Sequence, residues 1–205
     1  MTATQPEQRP ANLKDSDQPD AATRRRHRRR RALIEWAIII AVAVAAALLV
    51  KTFVLESYYI PSASMVPTLK VGNRILVDKL SYDLHGVHRG DVVVFARPPG
   101  DHEDPGVQDL VKRVIGLPGE RISSQGNQVL INGRVLAEPW LSRNQGLGEP
   151  IASLVIPKGD YFVMGDNRTD SLDSRSFGPI SGSLIVGRVV AKVWPPSAWR
   201  FFHFP

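Results

Sequence analysis

The sequence contains no cysteine, which excludes a disulfide framework and any metal site built from thiolate ligands. Histidine is also scarce, with five in 205 residues, and no local motif places one beside a candidate nucleophile. A serine–histidine pair therefore has no support in the sequence. If a serine is activated in this chain, a lysine is the simplest candidate for its base.

Net charge is nearly absent beyond residue 31. Residues 1–31 carry nine Lys and Arg against four Asp and Glu, a net charge of +5, whereas the remaining 174 residues carry seventeen against sixteen. The total of +6 therefore belongs to the tail, and the folded part is close to neutral. We expect no nucleic-acid partner for it.

The first 51 residues are predicted to form a tail and a membrane anchor. Residues 1–31 are mostly polar, follow no hydrophobic period and end in an arginine-rich block, which predicts a disordered basic tail. Residues 32–51 are the predicted transmembrane helix, because Ala32 to Val50 is apolar apart from Glu35 and would span about 28 Å as a helix. The arginines predict a cytoplasmic N-terminus, with the rest of the chain on the extracytoplasmic face of the cytoplasmic membrane.

Two other interpretations of this region stay open. A basic run followed by an apolar run is also the outline of a cleavable signal peptide, with Ala45 to Ala47 as a small-residue cleavage site. The arginine block is also the kind of segment that binds nucleic acid or anionic lipid. We favour the anchor, because the apolar run continues past Ala47 and a long tail precedes the arginines.

Residues 52–205 are predicted to be mostly β. Short apolar runs are separated by Gly, Pro, Asn and Asp, as is typical of antiparallel strands and their turns. A hairpin is predicted from Val129 to Leu136, because Asn132 and Gly133 tolerate the positive φ angles of a type I′ turn. The clearest strands are Ile75–Val77, Val92–Phe95, Val129–Ile131 and Tyr161–Met164.

Ser64 is the first candidate for chemistry. Pro61 and Pro67 flank it, which predicts a turn or an extended segment rather than a helix. The nearest lysine, Lys70, lies beyond Pro67, so the two cannot share one helical face. Most serines near a proline are simply turn residues, so Ser64 alone is weak evidence for a nucleophile.

Lys112 is the second candidate. In a strand it would share one face with Leu110 and Val114, among apolar groups. Burial lowers the pKa of a lysine and favours the neutral amine, which can accept a proton from a serine. The alternative is a solvated lysine that protects a strand edge.

A third polar segment, Gly165 to Arg175, follows an apolar strand and reads GDNRTDSLDSR. Its turn-forming and charged residues predict a tightly hydrogen-bonded loop, with Asp173 and Arg175 paired. The alternative is a structural turn with no site nearby.

These segments, in this order, resemble the signature boxes of bacterial type I signal peptidases. The matching stretches are SASMVPTL at 62–69, KRVIGLPG at 112–119 and the loop at 165–175. The resemblance covers about residues 58–179, and the single N-terminal apolar segment is similar to that of members with one anchor. It implies a mostly β catalytic domain of antiparallel sheets, with a short variable insertion at about 120–157.

The resemblance implies a serine endopeptidase that removes signal peptides after small residues, with Ser64 as nucleophile and Lys112 as general base. The Ser62 hydroxyl and the Ser64 backbone N–H would form the oxyanion hole. Ser171 would orient Lys112, while Asp173 and Arg175 would brace the loop. The implied substrate-binding residues are Tyr58, Ile60, Met65, Leu69, Ile75, Val94 and Val111.

The implied partners are secretory preproteins with cleavable signal peptides, and the lipid bilayer. No metal or organic cofactor is implied, and the sequence does not indicate an oligomeric state. One alternative function is a non-catalytic, membrane-tethered extracytoplasmic domain that binds a secreted partner or a cell-wall component. Another is a cytoplasmic self-cleaving Ser/Lys regulator, which fits poorly with a translocated domain.

Overall fold

The computed structural model describes residues 21–99, 106–142 and 145–202, and the chain divides between Leu48 and Leu49 into two units. The described residues of the first unit, 21–48, lie in helix α1 (Ala21–Phe53). Residues 21–31 of the predicted tail fall within α1, and residues 1–20 lie outside the described residues. Arginine is a good helix former, and extending an existing helix costs far less than nucleating one.

The predicted transmembrane helix, residues 32–51, falls inside α1. Among the described residues, no helix has the length and apolar character needed to cross a membrane. This part of the fold prediction is not confirmed.

The second unit is mostly β, as predicted. Its helices are short: α2 (Ser81–Leu84), α3 (Ser174–Phe177) and two 3-10 turns at Gly182–Leu184 and Pro196–Ala198. In the described part of the chain its strands are β1 (Leu55–Tyr59), β2 (Arg74–Asp78), β3 (Val92–Ala96), β4 (Asp109–Gly116), β5 (Arg121–Gln125), β6 (Gln128–Ile131), β7 (Arg134–Val135), β8 (Leu154–Val155), β9 (Asp160–Met164), β10 (Ile180–Ser181), β11 (Ile185–Trp194) and β12 (Arg200–Phe201).

The strands form two antiparallel sheets. The larger sheet has the order β1-β2-β11-β3-β4-β9-β10, with β12 paired to β11, and the smaller has the order β7-β6-β5-β8. Every pair in the described residues is antiparallel. The smaller sheet lies within the predicted insertion at 120–157.

The predicted hairpin is present between β6 and β7. Ile131 pairs with Arg134, and the two residues between them have positive φ angles, 51° at Asn132 and 78° at Gly133. These are the conditions for a type I′ turn, which asparagine and glycine meet at low cost. The four predicted strands also lie within β2, β3, β6 and β9.

Strand β4 lies in the middle of the larger sheet, between β3 and β9. Its neighbours are apolar: Val93 of β3 pairs with Lys112, and Met164 of β9 pairs with Arg113. Because β9 runs antiparallel to β4 and ends at Met164, the polar loop that follows begins beside the middle of β4. The fold thus brings the second and third sequence motifs together.

Candidate active site

Ser64 lies in a turn, as the flanking prolines predict. The turn is held by two backbone hydrogen bonds, from Val66 N–H to the Ala63 carbonyl at 3.0 Å and from Leu69 N–H to the Met65 carbonyl at 2.8 Å. Met65 and Leu69 are fully buried, so they anchor the turn in the hydrophobic core. Ser64 itself stays partly exposed.

Lys112 projects from β4 and is only 4% exposed. Its Nζ donates a hydrogen bond to Ser64 Oγ at 2.7 Å. Leu110 and Val114, on the same face of the strand, belong to a buried apolar cluster, which matches the predicted surroundings. The structure therefore brings Ser64 and Lys112 into direct contact, whereas Lys70 is exposed.

Ser62 lies on the same turn as Ser64. Their hydroxyl oxygens are 3.3 Å apart, and Ser62 is exposed. The Ser62 hydroxyl therefore lies close to the hydroxyl of the candidate nucleophile. Its role as an oxyanion-hole donor together with the Ser64 backbone N–H stays a prediction.

The loop after β9 packs directly against the serine turn. Asn167 N–H donates to the Ser64 carbonyl at 2.9 Å, and the Asn167 side chain donates to the Ala63 carbonyl at 3.2 Å. Gly165 makes the approach possible, because a Cβ there would come within 2.5 Å of the Ser64 carbonyl oxygen and 2.2 Å of Ser171 Oγ. Sequence reasoning assigned no role to Asn167, since no local pattern shows which distant carbonyl an amide meets.

Ser171 lines the same cleft as Ser64 and Lys112, and its predicted role in orienting Lys112 stays a prediction. Its hydroxyl oxygen is buried and, within the described residues, has no hydrogen-bond partner. The structure thus brings Ser171 near Lys112 without a hydrogen bond between them.

Asp173 and Arg175 pair as predicted. The Arg175 guanidinium donates to both Asp173 carboxylate oxygens, at 2.8 and 2.7 Å, and Asp173 also accepts from Gly165 N–H at 2.9 Å. Arg175 Nη1 reaches the Leu147 and Arg168 carbonyls at 2.5 and 2.6 Å. The pair therefore ties both ends of the loop together from a buried position.

A second buried ion pair, missed at the sequence level, lies behind the loop. Arg113 donates to both oxygens of Asp166, at 2.8 and 2.6 Å, and Asp166 also accepts from the Thr68 hydroxyl at 2.5 Å. Asp166 is fully buried and Arg113 is 6% exposed. Breaking such a pair from one side typically costs about 3–5 kcal/mol, so it fixes the loop against β4 and the serine turn.

The cleft around Ser64 has a volume of about 170 Å³. Four of the seven predicted substrate-binding residues line it: Tyr58, Ile60, Met65 and Val111. The other three, Leu69, Ile75 and Val94, do not line it. They are fully buried in a hydrophobic cluster that includes Ile60 and Met65 and against which Tyr58 and Val111 pack. Their apolar character serves packing, and sequence alone does not separate a cleft wall from the layer behind it.

Tyr58 brings a polar group to this cleft wall. Burial raises the pKa of its phenol, and the negative charges of Glu56 and Asp109 raise it further. The hydroxyl therefore stays neutral and keeps its proton at alkaline pH.

Comparison with known proteins identifies the family. The family model described as signal peptidase, peptidase S26, matches residues 33–194. The chain belongs to this family. It is 39% identical over 189 residues to signal peptidase IB of Staphylococcus aureus strain MRSA252, covering 84% of this chain and 95% of the relative. It is also 39% identical over 158 residues to signal peptidase I of Leptolyngbya laminosa, covering 76% of this chain and 77% of the relative.

Among solved structures, a signal peptidase I from Enterococcus faecalis V583 is similar, with 31% identity and a TM-score of 0.42 over 51% of this chain and 97% of the other. Membership of the signal peptidase family confirms the predicted enzyme class, a serine endopeptidase. The non-catalytic binding domain is not favoured.

Proposed function

We propose that the chain removes signal peptides from secretory preproteins with Ser64 as the nucleophile and Lys112 as the general base. The peptidase activity follows from the family. The assignment of the two residues is supported by one observation above all, the 2.7 Å contact between Ser64 Oγ and the buried Lys112 Nζ. A lysine in its neutral form at that distance is within reach of the serine proton.

In the first half of the reaction, Ser64 Oγ attacks the carbonyl carbon of the scissile bond while its proton passes to Lys112. The oxyanion that forms accepts hydrogen bonds from the Ser64 backbone N–H and the Ser62 hydroxyl. The tetrahedral intermediate then collapses, the C–N bond breaks, and Lys112 gives its proton to the departing amine of the mature protein. The signal peptide is left as an ester on Ser64.

In the second half, a water molecule attacks the ester carbonyl and Lys112 takes its proton. The same two donors stabilise the second oxyanion. Collapse of this intermediate breaks the bond to Ser64 Oγ, which recovers a proton from Lys112, and the signal peptide leaves with a new carboxylate. Lys112 is neutral again at the end of the cycle. The scheme uses neither a metal nor a cofactor.

The remaining site residues act by positioning. The unpartnered, buried Ser171 hydroxyl lies in the cleft and is available to hydrogen-bond Lys112 and orient its amine. Asp173 and Arg175 hold the loop that carries Ser171. We therefore expect these three to affect the rate of the chemical steps more than substrate binding.

Specificity for small side chains at −1 and −3 is supported by the size of the cleft and by its apolar wall of Ile60, Met65 and Val111. An alanine side chain needs little space, whereas a leucine would have to displace the wall. Enlarging Ile60 or Val111 should therefore tighten selectivity and leave the chemistry intact. Equal cleavage of Ala-x-Ala and Leu-x-Leu preproteins by the unmodified enzyme would rule this out.

We further propose a single-pass enzyme in the cytoplasmic membrane, with its N-terminus in the cytoplasm. The support comes from the sequence, where the arginines at 24–31 precede the apolar stretch from Ala32 to Val50. Protease added to intact spheroplasts should digest the domain after Lys51 and spare the tail. The reverse pattern, or release of a soluble domain cut near Ala47, would overturn this topology.

The functional assay uses the full chain in detergent with an Ala-x-Ala preprotein. The wild type should release the signal peptide, and Ser64→Ala should not. Normal cleavage by Ser64→Ala would show that another residue is the nucleophile.

A further inference from the structure

The insertion at 120–157 is the region for which the sequence offers no role, yet part of it contacts the loop beside Ser64. The contacts come from the linking segment, which we define as the described residues between 138 and 147, between strands β7 and β8. Three of its side chains reach residues of the loop or its anchor in β4: Glu138, Trp140 and Gln145.

The strongest of these contacts joins Glu138 to Arg168 of the loop. Both carboxylate oxygens accept from the guanidinium, Oε2 from Nη1 at 3.0 Å and Oε1 from Nη2. The side chains are 11% and 2% exposed. A bidentate pair in this setting fixes orientation as well as position, because the two planar groups must align.

Arg168 connects this ion pair to Ser64 through the first residues of the loop. Its Nε donates to the Gly165 carbonyl at 3.1 Å, so the guanidinium holds the first turn of the loop. Gly165 packs against the Ser64 carbonyl, and Asn167, the residue before Arg168, donates its N–H to that same oxygen at 2.9 Å. The chain of contacts from Glu138 to Ser64 is therefore continuous.

No other acidic group in the described residues forms an ion pair with Arg168. Of the three acids in the loop, Asp166 pairs with Arg113, Asp173 pairs with Arg175, and Asp170 is exposed. Loss of the Glu138 charge would leave a guanidinium buried to 98% without its counter-charge. Such a group is costly to keep inside, so the loop would shift to bring it to water.

Two further contacts from the same segment support the Asp166 side of the loop. The Trp140 ring covers the Arg113 guanidinium at 4.8 Å, and the Gln145 amide donates to the Asp166 carbonyl. A ring over a cation both attracts it and excludes water from its pair with Asp166. The linking segment thus contacts the loop and its anchor through three separate side chains.

We propose that Glu138 is a positioning residue for the peptidase reaction, acting through Arg168 to hold the loop that aligns Ser64 with Lys112. The inference rests on the roles proposed above for these two residues. It assigns the small sheet a part in catalysis, since the segment that carries Glu138 links two of its strands.

The test compares Glu138→Gln and Glu138→Asp in the full chain in detergent, with kcat and KM measured on one Ala-x-Ala preprotein. Glu138→Gln keeps the size and loses the charge, so kcat should fall about tenfold or more, since small displacements of reacting groups cost that much. KM should change less than kcat, because the apolar wall of Ile60, Met65 and Val111 is untouched. Glu138→Asp keeps the charge and should recover part of the lost kcat.

Leu154→Ala is the matched control. Leu154 packs against the core under the small sheet and makes none of the loop contacts described above. It should lower thermal stability and leave kcat near wild type. A Leu154→Ala chain that loses as much kcat as Glu138→Gln would show that general loosening of the sheet is responsible, and the inference would fail.

Hydrogen exchange at the Asn167 amide provides a readout independent of activity. That amide bonds to the Ser64 carbonyl, so it should exchange faster in Glu138→Gln than in Leu154→Ala. Ser64→Ala distinguishes an error in the proposed nucleophile from an error in the role of Glu138. If Ser64→Ala remains active, the proposed nucleophile is wrong. If Ser64→Ala is inactive while both Glu138 variants keep wild-type kcat and Asn167 protection, only the positioning role is wrong.

Discussion

Lys112 Nζ lies 2.7 Å from Ser64 Oγ although 48 residues of sequence separate the two side chains. The contact joins a turn anchored by buried Met65 to the central part of β4, so neither partner depends on a mobile surface loop. The two groups of the proposed dyad are therefore in contact before substrate arrives. In a site arranged in this way, little of the substrate-binding energy is needed to bring the nucleophile and the base together.

Replacing Lys112 by arginine should abolish cleavage as fully as replacing it by alanine. Arginine keeps the positive charge but stays protonated near neutral pH, so it cannot accept the Ser64 proton. The measurement is turnover of an Ala-x-Ala preprotein. Lys70→Ala is the matched control, because Lys70 is the lysine nearest to Ser64 in sequence and is exposed; it should keep most of the activity. Normal turnover by Lys112→Arg would show that the base lies elsewhere.

The rate should fall on the acid side of the pH profile. Lys112 is 4% exposed, and burial disfavours the ammonium form, so the pKa of its amine should lie well below that of a free lysine. At a pH above that pKa the amine is neutral and accepts the serine proton. At a pH below it the amine is already protonated and cannot act as the base. Measurement of kcat/KM against pH reports this pKa in the free enzyme. A rate that is constant down to pH 4 would contradict the assignment.

Ser62→Ala should fold normally and cleave slowly. Removing one donor from an oxyanion hole costs on the order of 3 kcal/mol, or roughly a hundredfold in rate, while the Ser64 backbone N–H remains. Because Ser62 is exposed, thermal unfolding should be nearly unchanged. The loss should appear in kcat with little change in KM. Full wild-type turnover would show that the hydroxyl does not stabilise the transition state.

Gly165→Ala should damage the site through the backbone. The added methyl would lie 2.2 Å from Ser171 Oγ and 2.5 Å from the Ser64 carbonyl, so the loop and the serine turn must separate. We expect a loss of about 1–3 kcal/mol in unfolding free energy, as for other overpacked sites, together with a large loss of kcat. Gly86→Ala, at an exposed position with nothing within 4 Å, should change neither. A fully active Gly165→Ala enzyme would mean that the loop tolerates displacement.

Structure could be predicted best where the residues of a short segment determine its own conformation. The Asn132-Gly133 turn, the apolar strands and the turn between Pro61 and Pro67 all follow from short-range patterns, and the structure contains each of them. The paired Asp173 and Arg175 are likewise two residues apart. The resemblance to signal peptidases added Ser64 and Lys112, which no local pattern connects.

What sequence reasoning missed are the long-range partners that hold the site. Arg113 meets Asp166 across 53 residues, and Glu138 meets Arg168 across 30. Which acid pairs with which arginine depends on the order and register of the strands. The spacing of apolar residues along a single strand or helix reveals neither of these. Helix α1 begins at Ala21, inside the predicted tail, where the composition is polar but arginine favours helix.

Lys112 and Arg113 are consecutive in β4 and therefore project to opposite faces of the sheet. A slip of this strand by one residue against β3 and β9 would exchange them, turning a guanidinium toward Ser64 and an amine toward Asp166. Such a chain would have no proton acceptor beside its serine and no bidentate partner for its loop. An error in strand pairing would thus yield an inert molecule instead of a protease with altered selectivity.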